Sequence, residues 1–182
     1  MNLFLLRHGD AITQAADDAS RPLSALGENQ ASVAGRTLAR LNMMPDVVLS
    51  SPLLRARRTA ELAMQELGLK DLQTTEYLTP TTDPRQLIAE LNERSATSVL
   101  LVGHMPSLQT CASLIVSGTR DAGLRVMTGT LIGVETPPRI EYGSGVLQWL
   151  FSYEQMKAML REDPGAAVKA TDPRRTGQGS SR

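Results

Sequence analysis

Short apolar runs alternate along this chain with longer segments in which apolar residues recur every three or four positions. The runs at residues 3–6, 47–49 and 99–102 are almost continuous, which is typical of parallel strands covered on both faces. The segments between them have the spacing of amphipathic helices. This alternation predicts a three-layer α/β/α fold, with helices on both faces of a mostly parallel sheet.

Local signals predict where the helices lie. Ser24 is a suitable N-cap for a first helix, Gly68 is a suitable C-cap for a second, and Asp83 followed by Pro84 is typical of a helix start. Pro106 can begin a fourth helix in the same way. The predicted helices span about residues 25–41, 57–67, 84–91 and 108–116.

The pattern changes after Gly118. Residues 130–135 and 146–152 alternate in character and are predicted to form two antiparallel strands near one edge of the sheet. Residues 1–160 are therefore predicted to form a single domain. Residues 161–182 carry Pro, Gly, Ser and Arg with little apolar material, which predicts a disordered tail.

Composition excludes several classes of function. Nineteen Lys and Arg balance nineteen Asp and Glu, so no overall field favours nucleic acid or an anionic membrane. One cysteine and two histidines fall short of the usual zinc ligand sets, although carboxylates can add ligands, and no metal or cofactor is predicted. The apolar start of the chain is too short for a signal peptide or a membrane span. We expect a cytoplasmic monomer, with Cys111 in its core.

Both histidines of the chain directly follow predicted strands, His8 the first and His104 the third. Ligands of α/β sheets bind beyond the carboxyl ends of the parallel strands, so both imidazoles are predicted at one edge. Arg7 precedes His8, and the second strand leads into a loop that carries Arg55. Gly9 permits close approach of the backbone. These residues predict a compact site for an anion.

The motif Leu6-Arg7-His8-Gly9-Asp10-Ala11 resembles the signature of the histidine phosphatase superfamily. Later motifs extend the resemblance in order and spacing: Arg21-Pro22-Leu23 before Gly27, Ser50-Ser51-Pro52 with Arg55 and Thr59, Leu78-Thr79-Pro80, and Gly103-His104. Together they resemble the small SixA-type phosphohistidine phosphatases. The resemblance implies a phosphoglycerate mutase-like fold and cofactor-independent removal of phosphate from a phosphohistidine-containing protein of bacterial signalling, such as a phosphotransfer or phosphocarrier protein.

The resemblance also implies a role for each residue of the anion site. His8 is predicted to be the nucleophile that forms a phospho-His8 intermediate. Arg7, Arg55 and His104 are predicted to offset the negative charge of the phosphoryl oxygens. Beside a phosphate, His104 is expected to have a raised pKa and to be protonated, whereas His8, beside two guanidinium groups, is expected to be neutral.

The proton donor is less well defined. Larger members of the superfamily use a glutamate after the second helix, but Tyr77 occupies that position here and Glu76 lies one residue away. An alkoxide leaving group needs such an acid, whereas an imidazole leaves readily, so its absence favours a P–N substrate. Asp18 is the alternative carboxylate, and Arg21 is predicted to contact phosphate or to hold Asp18.

Two other functions compete with this prediction. A small-molecule phosphomonoesterase would use the same phosphate contacts together with an acid, Glu76 or Asp18. A phosphate-binding module without turnover would need the arginines but no nucleophile, so the presence of His8 weighs against it. The short segment between Leu78 and Val99 leaves little room for a lid over a small substrate, which favours a protein surface.

Overall fold

The sheet of the computed structural model, which describes residues 1–161, has six strands in one layer. In chain order they are β1 (Asn2–Arg7), β2 (Val47–Ser50), β3 (Leu72–Thr74), β4 (Ser98–Gly103), β5 (Leu131–Glu135) and β6 (Val146–Phe151). Their order across the sheet is β3-β2-β4-β1-β5-β6. Strands β3, β2, β4 and β1 pair in parallel, and β5 and β6 complete the sheet in antiparallel fashion. The predicted mixed sheet with an antiparallel edge is confirmed.

Helices cover both faces of this sheet. They are α1 (Ala25–Arg40), α2 (Leu54–Leu67), α3 (Pro84–Asn92), α4 (Ser107–Ser117) and α5 (Tyr153–Arg161), with a short 3₁₀ helix at Glu76–Leu78. Helix α1 packs against α2 and α5, and α3 packs against α4. The predicted three-layer α/β/α architecture is therefore confirmed.

Most helix ends follow their predicted signals, but the start of α2 does not. The Ser24 hydroxyl accepts a hydrogen bond from Gly27 N at 3.1 Å, and Gly68 ends α2 with φ of 70°. Helix α2 begins at Leu54, before the predicted start at residue 57, and no side chain caps it. Arg55 consequently lies in the first turn of a helix and not in a loop as predicted.

The core has two halves, one on each face of the sheet. Successive strand residues point to opposite faces, so Leu3 and Leu5 pack with α3 and α4, while Phe4 and Leu6 pack with α1 and α2. Cys111 of α4 is fully buried, as predicted, and burial raises the pKa of its thiol to about 12. The sheet is thus covered on both sides at β1, which carries His8 at its end.

The antiparallel edge is held by aromatic packing around a glycine. A Cβ atom on Gly133 would lie 2.3 Å from Cε2 of Trp149, so only glycine lets the indole approach the backbone of β5. Trp149 stacks on Phe151 with ring centroids 4.9 Å apart and on Phe4 at 6.0 Å. Trp149 therefore anchors β6 against the sheet.

Two elements had no predicted counterpart. Strand β3 has three residues, two of them exposed, and so lacks an apolar run. Helix α5 buries one residue, Met156, against the α1 side of the core. It extends to Arg161, and the predicted disordered tail otherwise lies outside the described residues. No helix within residues 1–161 is long and apolar enough to cross a membrane.

Candidate active site

The two histidines lie side by side because β1 and β4 are parallel neighbours. Arg7 pairs with Gly103 at the ends of these strands. The next residues, His8 and His104, therefore lie next to each other just beyond the sheet. Their ring centroids are 4.7 Å apart, with a tilt of 54° between the rings. The backbone N–H of His8 donates to the Gly103 carbonyl at 3.0 Å, which fixes this arrangement.

A cleft of about 310 Å³ opens at this edge of the sheet. Its walls are formed by Arg7, His8, Asp10, Ala11, Thr13, Arg21, Arg55, Pro80, His104, Met105 and Thr128. The four predicted central residues and Arg21 are among them, whereas Gly9, Asp18 and Glu76 are not. A second cleft of about 340 Å³ lies at the amino ends of β1 and β4. No histidine, arginine or lysine lines it, so it offers no cation to a phosphate.

The hydrogen bond of His8 defines its tautomer. Its Nδ1 lies 2.7 Å from the Gly9 carbonyl oxygen, which can only accept, so Nδ1 carries the hydrogen and Nε2 carries the lone pair. Burial, opposed by the hydrogen bond to the Gly9 carbonyl and assisted by the charges of Arg55 and Arg7, lowers the pKa of His8 to about 4. His8 is therefore a neutral imidazole at pH 7, as predicted.

Gly9 serves the packing of the loop rather than contact with a ligand. A Cβ atom on Gly9 would lie 2.3 Å from the Gly27 carbonyl oxygen at the start of α1. The Gly9 N–H donates to Thr59 Oγ1 at 3.0 Å, and Thr59 Oγ1 donates to the Arg55 carbonyl at 2.7 Å. The expected close approach is thus between the Gly9 backbone and the start of α1, and the hydrogen bond to Thr59 links the His8 loop to α2.

Asp18 links the two arginines that follow it along the chain. It accepts from Arg21 Nη1 at 3.1 Å and from Arg55 Nη2 at 3.0 Å, and its backbone carbonyl accepts from Arg55 Nη1 at 2.6 Å. These hydrogen bonds, first that of Arg21 and then that of Arg55, lower the pKa of Asp18. Asp18 is therefore ionised at neutral pH and holds the arginines; it has no proton to donate.

Arg7 is fixed by one hydrogen bond and keeps other donors. Its Nη1 donates to the Val126 carbonyl at 2.8 Å, which connects the end of β1 to the loop before β5. Its Nε is buried and has no hydrogen-bond partner within the described part of the chain. A buried donor without a partner is costly, so a phosphate oxygen in the cleft would stabilise this side chain.

His104 differs from the sequence-based expectation in its charge. It is 1% exposed, with Nε2 3.0 Å from Ser51 Oγ and Nδ1 without a partner among residues 1–161. Burial first, and then His8 and Arg55, lower its pKa to about 3. The predicted rise in the pKa of His104 depended on an adjacent phosphate. With only the protein's own groups around it, His104 is neutral, because it is buried and the nearest charges are mostly cationic.

The carboxylates are placed differently from the prediction. Glu76 and its neighbour Tyr77 are exposed in the 3₁₀ helix and do not line the cleft. This position of Glu76 differs from the predicted one, which was at the site. Asp10 does line the cleft, although no role at the site was predicted for it. Its Oδ2 accepts from Ser24 Oγ at 2.6 Å. Its position two residues after His8 was the available signal.

The described residues contain no group of three His, Cys, Asp or Glu side chains arranged to hold a metal ion. The ionisable side chains that line the cleft are two neutral imidazoles, three guanidinium groups and the carboxylate of Asp10. Such a set can bind a phosphoryl group, and the lone pair of His8 Nε2 can attack its phosphorus.

Comparison with known proteins gives concordant matches. Residues 3–79 match the model of the histidine phosphatase superfamily (branch 1). The chain is 34% identical over 110 residues to the phosphohistidine phosphatase SixA of Escherichia coli (strain K12), covering 58% of this chain and 68% of that protein. An uncharacterized protein of Picosynechococcus sp. is 35% identical over 142 residues, 75% of this chain and 86% of that one. The structure of the protein histidine phosphatase SixA complexed with tungstate superposes with a TM-score of 0.77 at 28% identity, covering 84% of this chain and 97% of that structure.

Proposed function

Because the chain belongs to the histidine phosphatase superfamily and is of the SixA type, we propose that it hydrolyses phosphohistidine on a protein substrate through a phospho-His8 intermediate. The observation that carries the proposal is the tautomer of His8. Its Nδ1–H is held by the Gly9 carbonyl, so the lone pair of Nε2 is available in a cleft that Arg7 and Arg55 line.

The reaction proceeds in two displacements. His8 Nε2 attacks phosphorus in line, and the P–N bond of the substrate breaks with its electron pair going to the released nitrogen. A substrate ring already protonated at its other nitrogen thereby leaves as neutral imidazole, without a proton from the enzyme. Water then attacks phospho-His8, which releases inorganic phosphate and restores the neutral His8. Arg7, Arg55 and His104 donate hydrogen bonds to the phosphoryl oxygens in both steps.

The leaving group explains why this cleft can work without a dedicated acid. An imidazole has an ordinary pKa of about 6.5 and leaves far more readily than an alkoxide. Hydrogen bonds from Arg21 and Arg55 stabilise the ionised form of Asp18, and Glu76 lies outside the cleft. Neither carboxylate therefore supplies a proton to a basic leaving group. These properties favour a P–N substrate over a phosphate ester.

The rim of the cleft favours a protein as the carrier of that phosphohistidine. Ile12 is 43% exposed beside two residues of the cleft wall, and Met127 is 54% exposed beside Thr128 of the same wall. Exposed apolar side chains around a polar site are suited to contact with a protein surface. We infer that the substrate is a phosphotransfer or phosphocarrier protein of the cytoplasm, and that the enzyme acts as a monomer without metal or cofactor.

Hydrolysis of small phosphate monoesters is the second candidate, and Asp10 is the observation that favours it. Asp10 is a carboxylate in the wall of the cleft, where an acid for an alkoxide leaving group would have to lie. Its Oδ2 already accepts a hydrogen bond from Ser24 Oγ at 2.6 Å, so one of its two oxygens is engaged by the N-cap residue of α1. This contact makes the monoesterase the weaker of the two candidates.

The test is turnover of a phosphotransfer domain labelled with ³²P on histidine, compared with turnover of simple monoesters, in the presence of EDTA. We expect faster release of phosphate from the domain, complete loss of release in His8→Ala, and an acid-labile ³²P-labelled enzyme in the wild type. Arg57→Ala, an exposed arginine of α2, is the control for general effects of substitution. A preference for monoesters would replace the proposal with the second candidate. Phosphate binding without turnover would indicate a binding module.

A further inference from the structure

Ser51 is a buried residue at the end of β2 to which none of the steps above gives a role. Its backbone N–H donates to the Val102 carbonyl of β4 at 3.0 Å, which continues the pairing of the two strands. The side chain consequently lies beside His104, with Ser51 Oγ 3.0 Å from His104 Nε2. Ser51 is 0% exposed and His104 is 1% exposed, so water does not compete for this hydrogen bond.

The hydrogen bonds of Ser51 indicate which atom is the donor. A hydroxyl has one hydrogen to donate and two lone pairs that accept. One lone pair accepts from Leu53 N at 3.3 Å, and within residues 1–161 the hydroxyl hydrogen has one acceptor in reach, His104 Nε2. If Nε2 carried the hydrogen instead, both the Ser51 O–H and the Nδ1 lone pair of His104 would be buried without a partner. Donation by Ser51 leaves a single unpaired group, the Nδ1–H of His104.

From these contacts we propose that Ser51 is a positioning residue: it donates to His104 Nε2 and so keeps the hydrogen of the neutral imidazole on Nδ1. The catalytic meaning of this arrangement rests on the proposed function. The Nδ1–H donates to a phosphoryl oxygen in the cleft, and that oxygen supplies the partner that this buried group lacks. His104 thereby stabilises charge on the phosphoryl group without being charged itself.

The same tautomer gives the two histidines opposite roles. In both rings Nδ1 carries the hydrogen, but His8 uses it on the Gly9 carbonyl and presents the lone pair of Nε2 to the substrate. His104 uses its lone pair on Ser51 and presents the hydrogen. One ring is a nucleophile and the other a hydrogen-bond donor because the protein holds them by different nitrogens.

Burial first, and then the charged groups around His104, keep it in the neutral form to which the tautomer applies. His8, Arg55 and Arg7 disfavour a positive charge on His104, and Asp18 alone acts in the other direction. A doubly protonated ring has no lone pair at Nε2, so donation by Ser51 to that nitrogen requires the neutral ring. Without the Ser51 hydroxyl, no hydrogen bond holds the lone pair at His104 Nε2. The hydrogen of the neutral ring should then occupy either Nδ1 or Nε2.

The nitrogen chemical shifts of the imidazoles test this directly, because the chain has two histidines and so four ring nitrogens. We expect ¹⁵N spectra of the full chain at pH 7, assigned with His8→Asn, to show His104 Nδ1 as an N–H nitrogen and Nε2 as a lone-pair nitrogen. In Ser51→Ala the two shifts should move toward one another. In Ser50→Ala, which removes an equally buried hydroxyl that donates to the Ser51 carbonyl, they should stay unchanged. A wild type with the hydrogen on Nε2, or no change in Ser51→Ala, overturns the proposal.

Turnover gives a second test. Partners that orient functional histidines typically contribute about 10- to 100-fold, so kcat for the phosphohistidine substrate should fall by about that factor in Ser51→Ala and recover in Ser51→Thr, which keeps the hydroxyl. Wild-type kcat in Ser51→Ala would contradict a positioning role. The spectra need no substrate, so inactivity on phosphohistidine would refute the proposed function while the spectra still decide the tautomer.

Discussion

Asp18 holds Arg55 at two points, through its carboxylate at 3.0 Å from Arg55 Nη2 and through its backbone carbonyl at 2.6 Å from Arg55 Nη1. Arg55 comes from the first turn of α2 and is 4% exposed, whereas Asp18 lies in the loop between β1 and α1. The orientation of a buried guanidinium is thus determined by an exposed loop.

Replacing Asp18 with Asn should lower turnover with little loss of stability. We expect kcat/KM to fall about tenfold because Arg55 loses its charged partner, comparable to the loss of orienting groups elsewhere. The free energy of unfolding should change by less than about 1 kcal/mol, because the Asp18 side chain is 64% exposed. Steady-state kinetics and urea unfolding measure the two effects. Asp17→Asn is the matched control, and equal kinetic losses in both variants would contradict a specific role for Asp18.

Arg55 itself should contribute far more to turnover. A well-placed arginine in phosphoryl transfer is worth about 10³- to 10⁵-fold, so we expect a loss in this range in Arg55→Ala. Arg55→Lys should restore little, because an ammonium cannot reproduce the two hydrogen bonds to Asp18. Single-turnover phosphate release measures the effect. Full activity in Arg55→Lys would show that charge alone matters.

The two histidines should make the protein less stable as the pH falls. Their pKa values are about 4 and 3 in the folded state, below the ordinary value of 6.5. The unfolded chain therefore binds more protons between pH 6.5 and pH 4, and stability decreases as the pH falls through this window. We expect about 1 kcal/mol per pH unit for each histidine, measured as urea midpoints at pH 7, 6 and 5. The variant His8→Gln/His104→Gln should have a flatter profile, and an unchanged slope would contradict the assignment.

Gly9→Ala should damage both folding and activity. The added Cβ would meet the Gly27 backbone at 2.3 Å, and neither segment can move without shifting His8 or α1. We expect a loss of about 3 kcal/mol in thermal or urea unfolding, at the upper end for an overpacked site. Gly123→Ala is the control, because no atom lies within 4 Å of its Cβ position and only its φ of 68° is unfavourable. Similar losses at both positions would show that contact with Gly27 is unimportant.

Substitutions of two acidic residues should separate the candidate substrates. Glu76→Gln should leave all activities unchanged, because this side chain is exposed outside the cleft. Asp10→Asn should reduce any monoester hydrolysis more than phosphohistidine hydrolysis, because the first needs an acid and the second has a better leaving group. The ratio of the two rates in each variant is the measurement. A large effect of Glu76→Gln would mean that the 3₁₀ helix reaches the substrate.

The fold could be predicted largely because its strands are buried on both faces. Strands β1, β2 and β4 read as apolar runs, and each histidine directly follows one of them. The predicted phosphoglycerate mutase-like fold is confirmed by the similarity to the SixA complex with tungstate. Strand β3 was not predicted because it lies at an edge and depends on pairing with β2 rather than on its own side chains.

The sequence was sufficient to predict which histidines and arginines lie together and that Arg21 can hold Asp18, but it did not predict the other hydrogen bonds of the cleft. Backbone register brings His8 and His104 together, and register follows from the order of the strands. The tautomers and the placement of Asp10, Asp18 and Glu76 depend on loops whose conformation comes from long-range hydrogen bonds. The neutral state of His104 likewise depends on burial that no local pattern reports.

The packing of Trp149 over Gly133 also makes the protein its own optical probe. The chain has one tryptophan, so indole emission arises from a single place, in van der Waals contact with β5 and stacked on Phe4 of β1. Strand β1 ends beside His8, whereas Trp149 lies by the other cleft, at the amino end of β1. Emission should therefore report the detachment of β6 from the sheet during unfolding, without a dye and without a change to the cleft that His8 lines.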